Sequence, residues 1–293
     1  MKDIKLTTEV ATPKARFGIG YDDAMLLVGS CFTENMGARL SDLDFKVNVN
    51  PFGIMYNPLS MADALSRCLD GRTIGEGDLV ERDGLWHSWL HHGCFSHADK
   101  DGCLQACNQA IEEAHDFLET CNTVILTFGS GWHYRLKSDG RVVANCHKVP
   151  AAKFEKRLAT VEESLGVWNP LMERLLEGGR RVVLTISPVR HQAYGAHGNQ
   201  LGKAVLLLMV EELMRNFESK GCLEYFPSYE IVVDELRDYR FYADDMAHPS
   251  SMAEEIVWRR FQNVFFDDKT KMKSEAAYDE LRRKAHRPLR PGE

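Results

Sequence analysis

The chain has 293 residues, of which 44% are hydrophobic and 27% are charged, and its formal net charge is -7. A chain of this length and composition can bury a large core by itself, which excludes the disordered class and the small disulfide-dependent scaffolds. The acidic balance argues against nucleic acid as a partner, because nucleic-acid-binding proteins usually carry a basic surface.

The N-terminal segment, residues 1–18, has no apolar region of the kind that marks a secretory signal. No apolar run approaches the roughly 18–20 residues that a membrane span requires. The eight cysteines form no CxxC pair and no regular framework. We therefore expect a cytoplasmic protein with reduced thiols and no membrane partner.

Short apolar runs alternate with longer helical patterns along the chain. Four runs bounded by turn residues predict buried strands, at Met25–Val28, Thr123–Phe128, Arg181–Ile186 and Leu223–Phe226. A fifth strand is expected shortly before Gly53. Helices are predicted at Thr33–Leu40, Pro58–Leu69, Leu104–Leu118, Lys153–Leu176 and Asn199–Phe217, with a last one beginning at Pro249. This alternation predicts a three-layer α/β/α fold with a mostly parallel five-stranded sheet, and a flavodoxin-like strand order is the default.

Two segments interrupt the alternation, at about residues 71–100 and 133–150. The first is rich in Gly, His and aromatic residues, and the second predicts a hairpin over Tyr134–Ala144 that turns at Ser138–Gly140. We interpret both as insertions into one domain that comprises residues 1–266. The strongly charged residues 267–293 are expected to form a solvated tail or exposed helix.

The first candidate for chemistry is the turn after the first predicted strand, where Gly29 is followed by Ser30 and Cys31. Side chains in this position lie at the carboxyl edge of the sheet, where α/β proteins bind their ligands. A Ser or Cys there also lies at a helix N-terminus, which favours an anionic nucleophile. Ordinary helix capping explains the same residues without any catalytic role.

The second candidate is the pair Asp245 and His248, three residues apart and just before the last predicted helix. A His on a loop is suited to act as a general base, and an Asp on the same turn can orient its ring. A helix cap with a surface His is the alternative.

Three further groups of residues each have a functional and a structural interpretation. Arg190 and His191 follow the fourth strand and are suited either to bind a substrate anion or to form a structural ion pair. His147 lies beside Cys146 in the second insertion, where it either lines a pocket or is structural. The first insertion holds a group that invites a zinc site, but no paired ligand spacing recurs, so we expect aromatic packing and no metal: His87, His91, His92, Cys94 and His97. The sequence has no phosphate-binding Gly-rich motif, and we expect no cofactor.

These candidates together resemble a known superfamily. The stretch Gly29–Asn35 resembles, without a gap, the G-D-S-L-T-D-N block of the GDSL-type or SGNH hydrolases, which also carry a D-x-x-H near their C-terminal end. More narrowly, the chain is similar to the GSCFA family, a bacterial branch named for the motif that here reads Gly29–Thr33. Further matching stretches are Asn50–Pro58, Asn145–Pro150, Ser187–His191, Tyr225–Glu230, Leu236–Tyr242 and Asp245–Ser250.

The resemblance implies roles for particular residues. The nucleophile position falls on Cys31 in the ungapped match and on Ser30 after a shift of one residue, and both stay candidates. Asp245 and His248 match the orienting acid and the general base. Gly53 matches the second-block glycine whose N–H helps to form the oxyanion hole, and Gly129 matches the glycine of the third block, where it can serve as a backbone neighbour. The third block departs from the pattern, because Gly129-Ser130-Gly131 lacks its Asn; Asn145 is a candidate substitute.

The resemblance implies a hydrolase that acts on an ester, including an acyl group on a carbohydrate. Two other functions stay open: an acyltransferase, and a non-catalytic carbohydrate-binding protein that keeps the fold without the chemistry. The expected partner in each case is a small-molecule or carbohydrate ester or ligand. The oligomeric state is not predicted.

Overall fold

The computed structural model describes residues 7–285. Ten strands lie within these residues: β1 (Ala24–Gly29), β2 (Lys46–Val49), β3 (Leu79–Arg82), β4 (Leu85–Ser88), β5 (Thr123–Phe128), β6 (Trp132–Leu136), β7 (Val142–Val143), β8 (Phe154–Leu158), β9 (Arg181–Ile186) and β10 (Leu223–Phe226). The same residues contain eight α-helices: α1 (Cys31–Asp42), α2 (Pro58–Asp70), α3 (Lys100–Thr120), α4 (Val161–Glu177), α5 (Gly195–Phe217), α6 (Ser228–Glu230), α7 (Ser251–Phe265) and α8 (Asp268–Ala285).

The central sheet has five strands in the order β10-β9-β5-β1-β2, and all its pairs are parallel. Counted along the chain, this is the order 2-1-3-4-5 of flavodoxin-like sheets. The predicted fold class and strand order are therefore confirmed. The four predicted strand runs all lie in this sheet, and β2 is the strand expected before Gly53.

Successive side chains of a strand face opposite sides of the sheet, and the two cores follow this alternation. Leu26 and Val28 of β1 pack into a core with helices α2 to α5. Met25 and Leu27 pack into the opposite core with α1 and α7. The sheet is thus covered on both faces, which is why its strands read as continuous apolar runs.

One predicted helix is wrong in its first third. Residues 154–158, placed in the helix Lys153–Leu176, form β8, which pairs antiparallel with β6. The helix α4 begins only at Val161, because Thr160 and Glu163 form a capping box that fixes its start. The last helix begins at Ser251 rather than Pro249, since the Ser250 hydroxyl caps it. The other helices begin and end within about one turn of their predicted bounds.

The two insertions form small sheets of their own. The predicted hairpin is present as β6 and β7, and β8 adds a third strand to it. The first insertion, for which no secondary structure was predicted, contains the hairpin β3–β4. The insertions share a small apolar core that includes Trp89, Val143 and Phe154. The two insertions therefore pack against each other through this shared core.

The charged C-terminal segment forms helix α8, on which Thr270 and Ser274 are buried. The last eight residues of the predicted tail and the first six of the N-terminal segment lie outside the described residues. The division of the chain at residue 266 into a domain and a tail stays a prediction. Among the residues that the structure describes, no helix combines the length and apolarity needed to cross a bilayer.

Candidate active site

The turn from β1 into α1 is tightly packed around Gly29. A Cβ at this position would lie 2.3 Å from the Thr127 carbonyl oxygen and 2.6 Å from Thr33 Oγ1, so only glycine fits. The Gly29 N–H donates to Oδ1 of Asn50 over 2.8 Å. This packing fixes the position of the two residues that follow, at the carboxyl edge of the sheet.

Ser30 and Cys31 have different environments. The Ser30 side chain is fully buried, and its hydroxyl accepts the Phe32 N–H as the cap of α1. Cys31 is the first residue of the helix and is partly exposed. Burial raises the pKa of the Cys31 thiol, while the N–H groups of Phe32 and Cys31 itself lower it. Of the two candidate nucleophiles, Cys31 is therefore the one that solvent can reach.

Asp245 and His248 form a pair on the loop before α7. Asp245 Oδ2 lies 2.5 Å from Nδ1 of His248, and its Oδ1 accepts the N–H groups of Ala247 and His248 at 2.9 Å each. These backbone donors, with the imidazole ring, lower the pKa of Asp245 to about 2. The carboxylate is therefore ionised at neutral pH and holds the ring with Nε2 turned away from it. The two side chains are half exposed, at 50% for Asp245 and 48% for His248.

The loop that carries this pair is anchored to its neighbours. The Arg190 N–H donates to the Ala247 carbonyl over 3.0 Å, and the Arg190 guanidinium donates to the Met246 carbonyl over 3.2 Å. Gln192 Nε2 donates to the carbonyls of Asp245 and Met246. Arg190, predicted either to bind a substrate anion or to be structural, thus makes contacts that hold this loop.

The loop after β2 contains Gly53 at a left-handed φ of 75°. A Cβ there would lie 2.3 Å from Cβ of His92, so the first insertion packs directly against it. The Gly53 N–H donates to the Asn50 carbonyl over 2.7 Å. That hydrogen bond would have to open or be shared if Gly53 were to bind an oxyanion, and its predicted role stays a prediction.

Tyr56, Gly129 and His191 form a contiguous group beside Cys31. The Gly129 N–H donates to the Tyr56 carbonyl over 2.8 Å, and a Cβ on Gly129 would lie 3.0 Å from the Tyr56 ring. The His191 ring packs edge-on against Tyr56, with 5.2 Å between ring centroids. Burial lowers the pKa of His191 to about 4, and its buried Nε2 has no hydrogen-bond partner among residues 7–285. His191 is therefore a neutral imidazole with one free ring nitrogen.

Asn145 and His147 form their hydrogen bonds within the two insertions. Asn145 Oδ1 accepts the His147 N–H over 2.9 Å, and His147 Nε2 lies 2.7 Å from the Ser88 carbonyl oxygen. The His147 ring stacks on His87, and burial lowers its pKa to about 4. The hydrogen bonds of both residues thus belong to the insertions, and their predicted places in the binding site stay predictions.

The histidine- and cysteine-rich stretch of the first insertion is packed with aromatic contacts. His91 stacks on Phe52 at 4.7 Å, and its Nδ1 bonds the Ser88 hydroxyl. Over the part of the chain that is described, no three His, Cys, Asp or Glu side chains are grouped to hold a metal ion. All eight cysteines are free thiols.

A residue that the sequence analysis missed is Lys203 on α5. Its side chain is 1% exposed, and its Nζ donates to the carbonyls of Gly129 and Ser187 at 2.6 Å each. The signal in the sequence is a lysine on the buried face of an apolar helix, four residues after the buried Asn199.

Cys31 and His248 are connected at the carboxyl edge of the sheet through Tyr56 and His191. Cys31 and Tyr56 are close enough that the thiolate raises the pKa of the phenol, an effect second to burial. The His248 charge contributes to lowering the pKa of His191. No hydrogen bond joins His248 to Ser30 or Cys31 in the described residues. Such bonds often form only once a substrate is bound.

The model of the GSCFA family matches residues 24–261, which is most of the chain. The chain belongs to the GSCFA family. No protein with curated function matches this GSCFA chain in sequence.

Three solved structures are distantly similar to this GSCFA protein. A proposed platelet activating factor from Streptococcus pneumonia has 11% identity and a TM-score of 0.44, with 82% of this chain and 83% of that chain covered. A proposed acylhydrolase from Bacteroides fragilis has 9% identity and a TM-score of 0.43, with 92% of each chain covered. A carbohydrate esterase family 3 protein from Talaromyces cellulolyticus has 9% identity and a TM-score of 0.38, with 82% of this chain and 95% of that chain covered. Similarity this distant identifies no catalytic residue here.

Proposed function

We propose that this GSCFA protein hydrolyses esters with Cys31 as nucleophile, His248 as general base and Asp245 as the residue that orients His248. The observation that carries the proposal is the Asp245–His248 pair. One carboxylate oxygen contacts the ring and the other accepts two backbone N–H groups, so the imidazole is fixed as a base requires. A surface His that merely precedes a helix would not need three such bonds.

Cys31 is favoured over Ser30 because of what each side chain already does. The Ser30 hydroxyl is buried and committed to capping α1, so its attack on a substrate would uncap the helix. Cys31 is partly exposed at the first turn of the same helix, where the helix dipole favours a thiolate. The raised thiol pKa means that a general base must remove the proton, which is the role given to His248.

The reaction then proceeds in two balanced steps. Cys31 Sγ attacks the ester carbonyl carbon and its proton passes to His248 Nε2; the C–O bond breaks and the alcohol leaves with that proton. Water next gives a proton to His248 and attacks the thioester, which releases the carboxylic acid and restores the thiol. Overall, ester and water give acid and alcohol. An alcohol in place of water in the second step would make the protein an acyltransferase.

We assign the side-chain oxyanion donor to His191, which takes the place of the missing third-block Asn. The imidazole is neutral because burial lowers its pKa to about 4, and its buried Nε2 has no partner among the described residues. A neutral imidazole carries a single N–H, so this role requires the tautomer with the proton on Nε2 and access of the substrate oxygen to Nε2 once the ester binds. The N–H of Cys31, in the unpaired first turn of α1, is assigned as the backbone donor.

An acylated carbohydrate is the substrate class that we favour. Tyr56 is 39% exposed beside Cys31, and Tyr194 stacks on Trp132 a short way along the same edge. Aromatic faces that flank a polar centre are suited to the apolar faces of a sugar ring. The same group would serve a protein that binds a carbohydrate without hydrolysing it, and the engaged Gly53 N–H favours that second candidate.

Steady-state hydrolysis of an ester panel tests the proposal. Acetylated sugars and p-nitrophenyl esters of increasing chain length are compared for the wild type, Cys31→Ala and His248→Ala. We expect kcat to fall at least 10²-fold in each variant. Binding of an acetylated sugar without turnover by the wild type would instead support the non-catalytic candidate. Activity that survives His248→Ala contradicts the mechanism.

A further inference from the structure

The burial of Lys203 is unusual for a side chain that normally carries a charge. Lysine is almost never fully buried unless it is paired, because an ammonium loses its hydration on burial. Lys203 is 1% exposed, yet no carboxylate among residues 7–285 forms an ion pair with it. Its two hydrogen bonds go to the backbone carbonyls of Gly129 and Ser187, which are dipoles and not charges.

The two carbonyls place this ammonium under the candidate active site. Gly129 follows β5 and Ser187 follows β9, at the carboxyl edge where the two strands pair. Gly29 pairs with Thr127 between β1 and β5, so Cys31 and Gly129 each lie two residues beyond the same paired position. The register of the sheet therefore brings the turn that carries Cys31 and the Lys203 Nζ to neighbouring strand ends.

Among the described residues, three titratable groups near Lys203 bear on its charge, and they differ in whether they can become negative. Cys31 on α1 and His191 on the loop after β9 are close enough to Lys203 for their charges to interact, and the Tyr229 ring lies 5.5 Å from Nζ. His191 is neutral, and burial raises the pKa of the Tyr229 phenol. Among residues 7–285, a Cys31 thiolate is thus the anion that this surrounding offers to the buried ammonium.

We propose that Lys203 is a positioning residue that acts through Cys31: its buried ammonium stabilises the thiolate, and its two hydrogen bonds fix the strand ends beside the nucleophile. The inference rests on the proposed function in one respect, which is the assignment of Cys31 as nucleophile. The pKa shifts agree with the pairing. The Lys203 charge lowers the pKa of Cys31 against the effect of burial, and the thiolate raises the pKa of Lys203, which burial lowers to about 7.

The pH dependence of Cys31 alkylation tests the proposal directly. Iodoacetamide labelling is followed by mass spectrometry of the Cys31 peptide for the wild type, Lys203→Met and Lys203→Gln. Gln keeps hydrogen-bond donors without the charge. We expect both variants to be labelled about tenfold more slowly at pH 6, where Lys203 is still an ammonium, because the loss of the cation raises the thiol pKa by about one unit. The matched control is Lys220→Met, which removes the same charge from an exposed position and should leave the profile unchanged.

A second measurement keeps the proposal testable if the Lys203 variants do not fold. The coupling between two titrating groups is reciprocal, so replacement of the thiol must lower the pKa of the amine by the same amount. An NMR titration of Lys203 Cε in the wild type and Cys31→Ser measures this. We expect the pKa to fall in the variant, and an identical titration in both proteins overturns the inference.

The labelling and hydrolysis experiments together distinguish a failure of the Lys203–Cys31 pairing from a failure of the proposed function. Slower labelling in the Lys203 variants, with no ester hydrolysed by the wild type, supports the Lys203–Cys31 pairing and contradicts the hydrolase. Ester hydrolysis that requires Cys31 and His248, with an unchanged labelling profile in both folded Lys203 variants, supports the hydrolase and overturns the role of Lys203.

Discussion

Three histidines whose pKa values are strongly lowered in the folded protein should make it unusually sensitive to acid. Burial lowers the pKa of His91 to about 3 and the pKa values of His147 and His191 to about 4, from an ordinary value of 6.5. The folded state therefore keeps all three rings neutral while the unfolded chain protonates them. Stability is fully present above pH 6.5 and is lost as the pH falls toward 4.

The magnitude follows from proton linkage. Each additional proton bound by the unfolded state lowers the free energy of unfolding by about 1.4 kcal/mol per pH unit. Three histidines therefore give about 4 kcal/mol per pH unit between about pH 6 and pH 4. Burial also lowers the pKa of His133, which adds to the slope. Since a domain has roughly 5–15 kcal/mol in total, we expect unfolding before pH 4 is reached.

Urea unfolding monitored by tryptophan fluorescence at pH 7, 6 and 5 measures this slope. His91→Gln should reduce it by about one third, because one of the three linked protons is removed. His197→Gln is the control, since His197 is exposed to water in the folded protein. Stability that stays constant or rises between pH 7 and pH 5 would refute the assignment of neutral buried rings.

Three substitutions test individual parts of the site. Ser30→Ala should cost about 1 kcal/mol of stability by removal of the α1 cap, as read from the thermal midpoint, while Cys31 alkylation persists; loss of labelling would contradict the division of roles between the two residues. Gly53→Ala should cost about 2 kcal/mol or more in urea unfolding, because its φ of 75° is unfavourable for alanine and the new Cβ meets His92; a neutral effect would show that the loop readily moves. Asp245→Asn should lower kcat by about 10²–10³-fold. The amide oxygen can keep the two backbone bonds only if the NH₂ group turns toward His248 Nδ1, which favours the tautomer with the proton on Nε2, and that tautomer cannot act as the base. An unchanged kcat would remove Asp245 from the mechanism.

The central fold was predictable because its signals are local. Continuous apolar runs in the buried strands and the caps around the helices act within a few residues. Residues 154–158 were misassigned for a physical reason: their strand forms only by pairing with β6, which a reading of local pattern does not include. The capping box at Thr160 was the available signal for the later start of α4.

The site was predictable in part. The Asp245–His248 contact was predictable because a spacing of three residues on one turn limits where the side chains can go. The burial of Ser30 and the free Nε2 of His191 depend on neighbours distant in sequence, and no local pattern encodes them. Lys203 was missed because its partners are backbone carbonyls of two other strand ends, which leave no trace in residue type.

The most direct test of the central claim is the location of the covalent acyl intermediate. The wild type, Ser30→Ala, Cys31→Ala and His248→Ala are quenched in acid during turnover of an activated ester, and the acylated peptide is identified by mass spectrometry. The account predicts a thioester on Cys31 in the wild type and in Ser30→Ala, and its loss in Cys31→Ala and His248→Ala. An acyl group on Ser30, or acylation of Cys31 at an undiminished rate in His248→Ala, would contradict it.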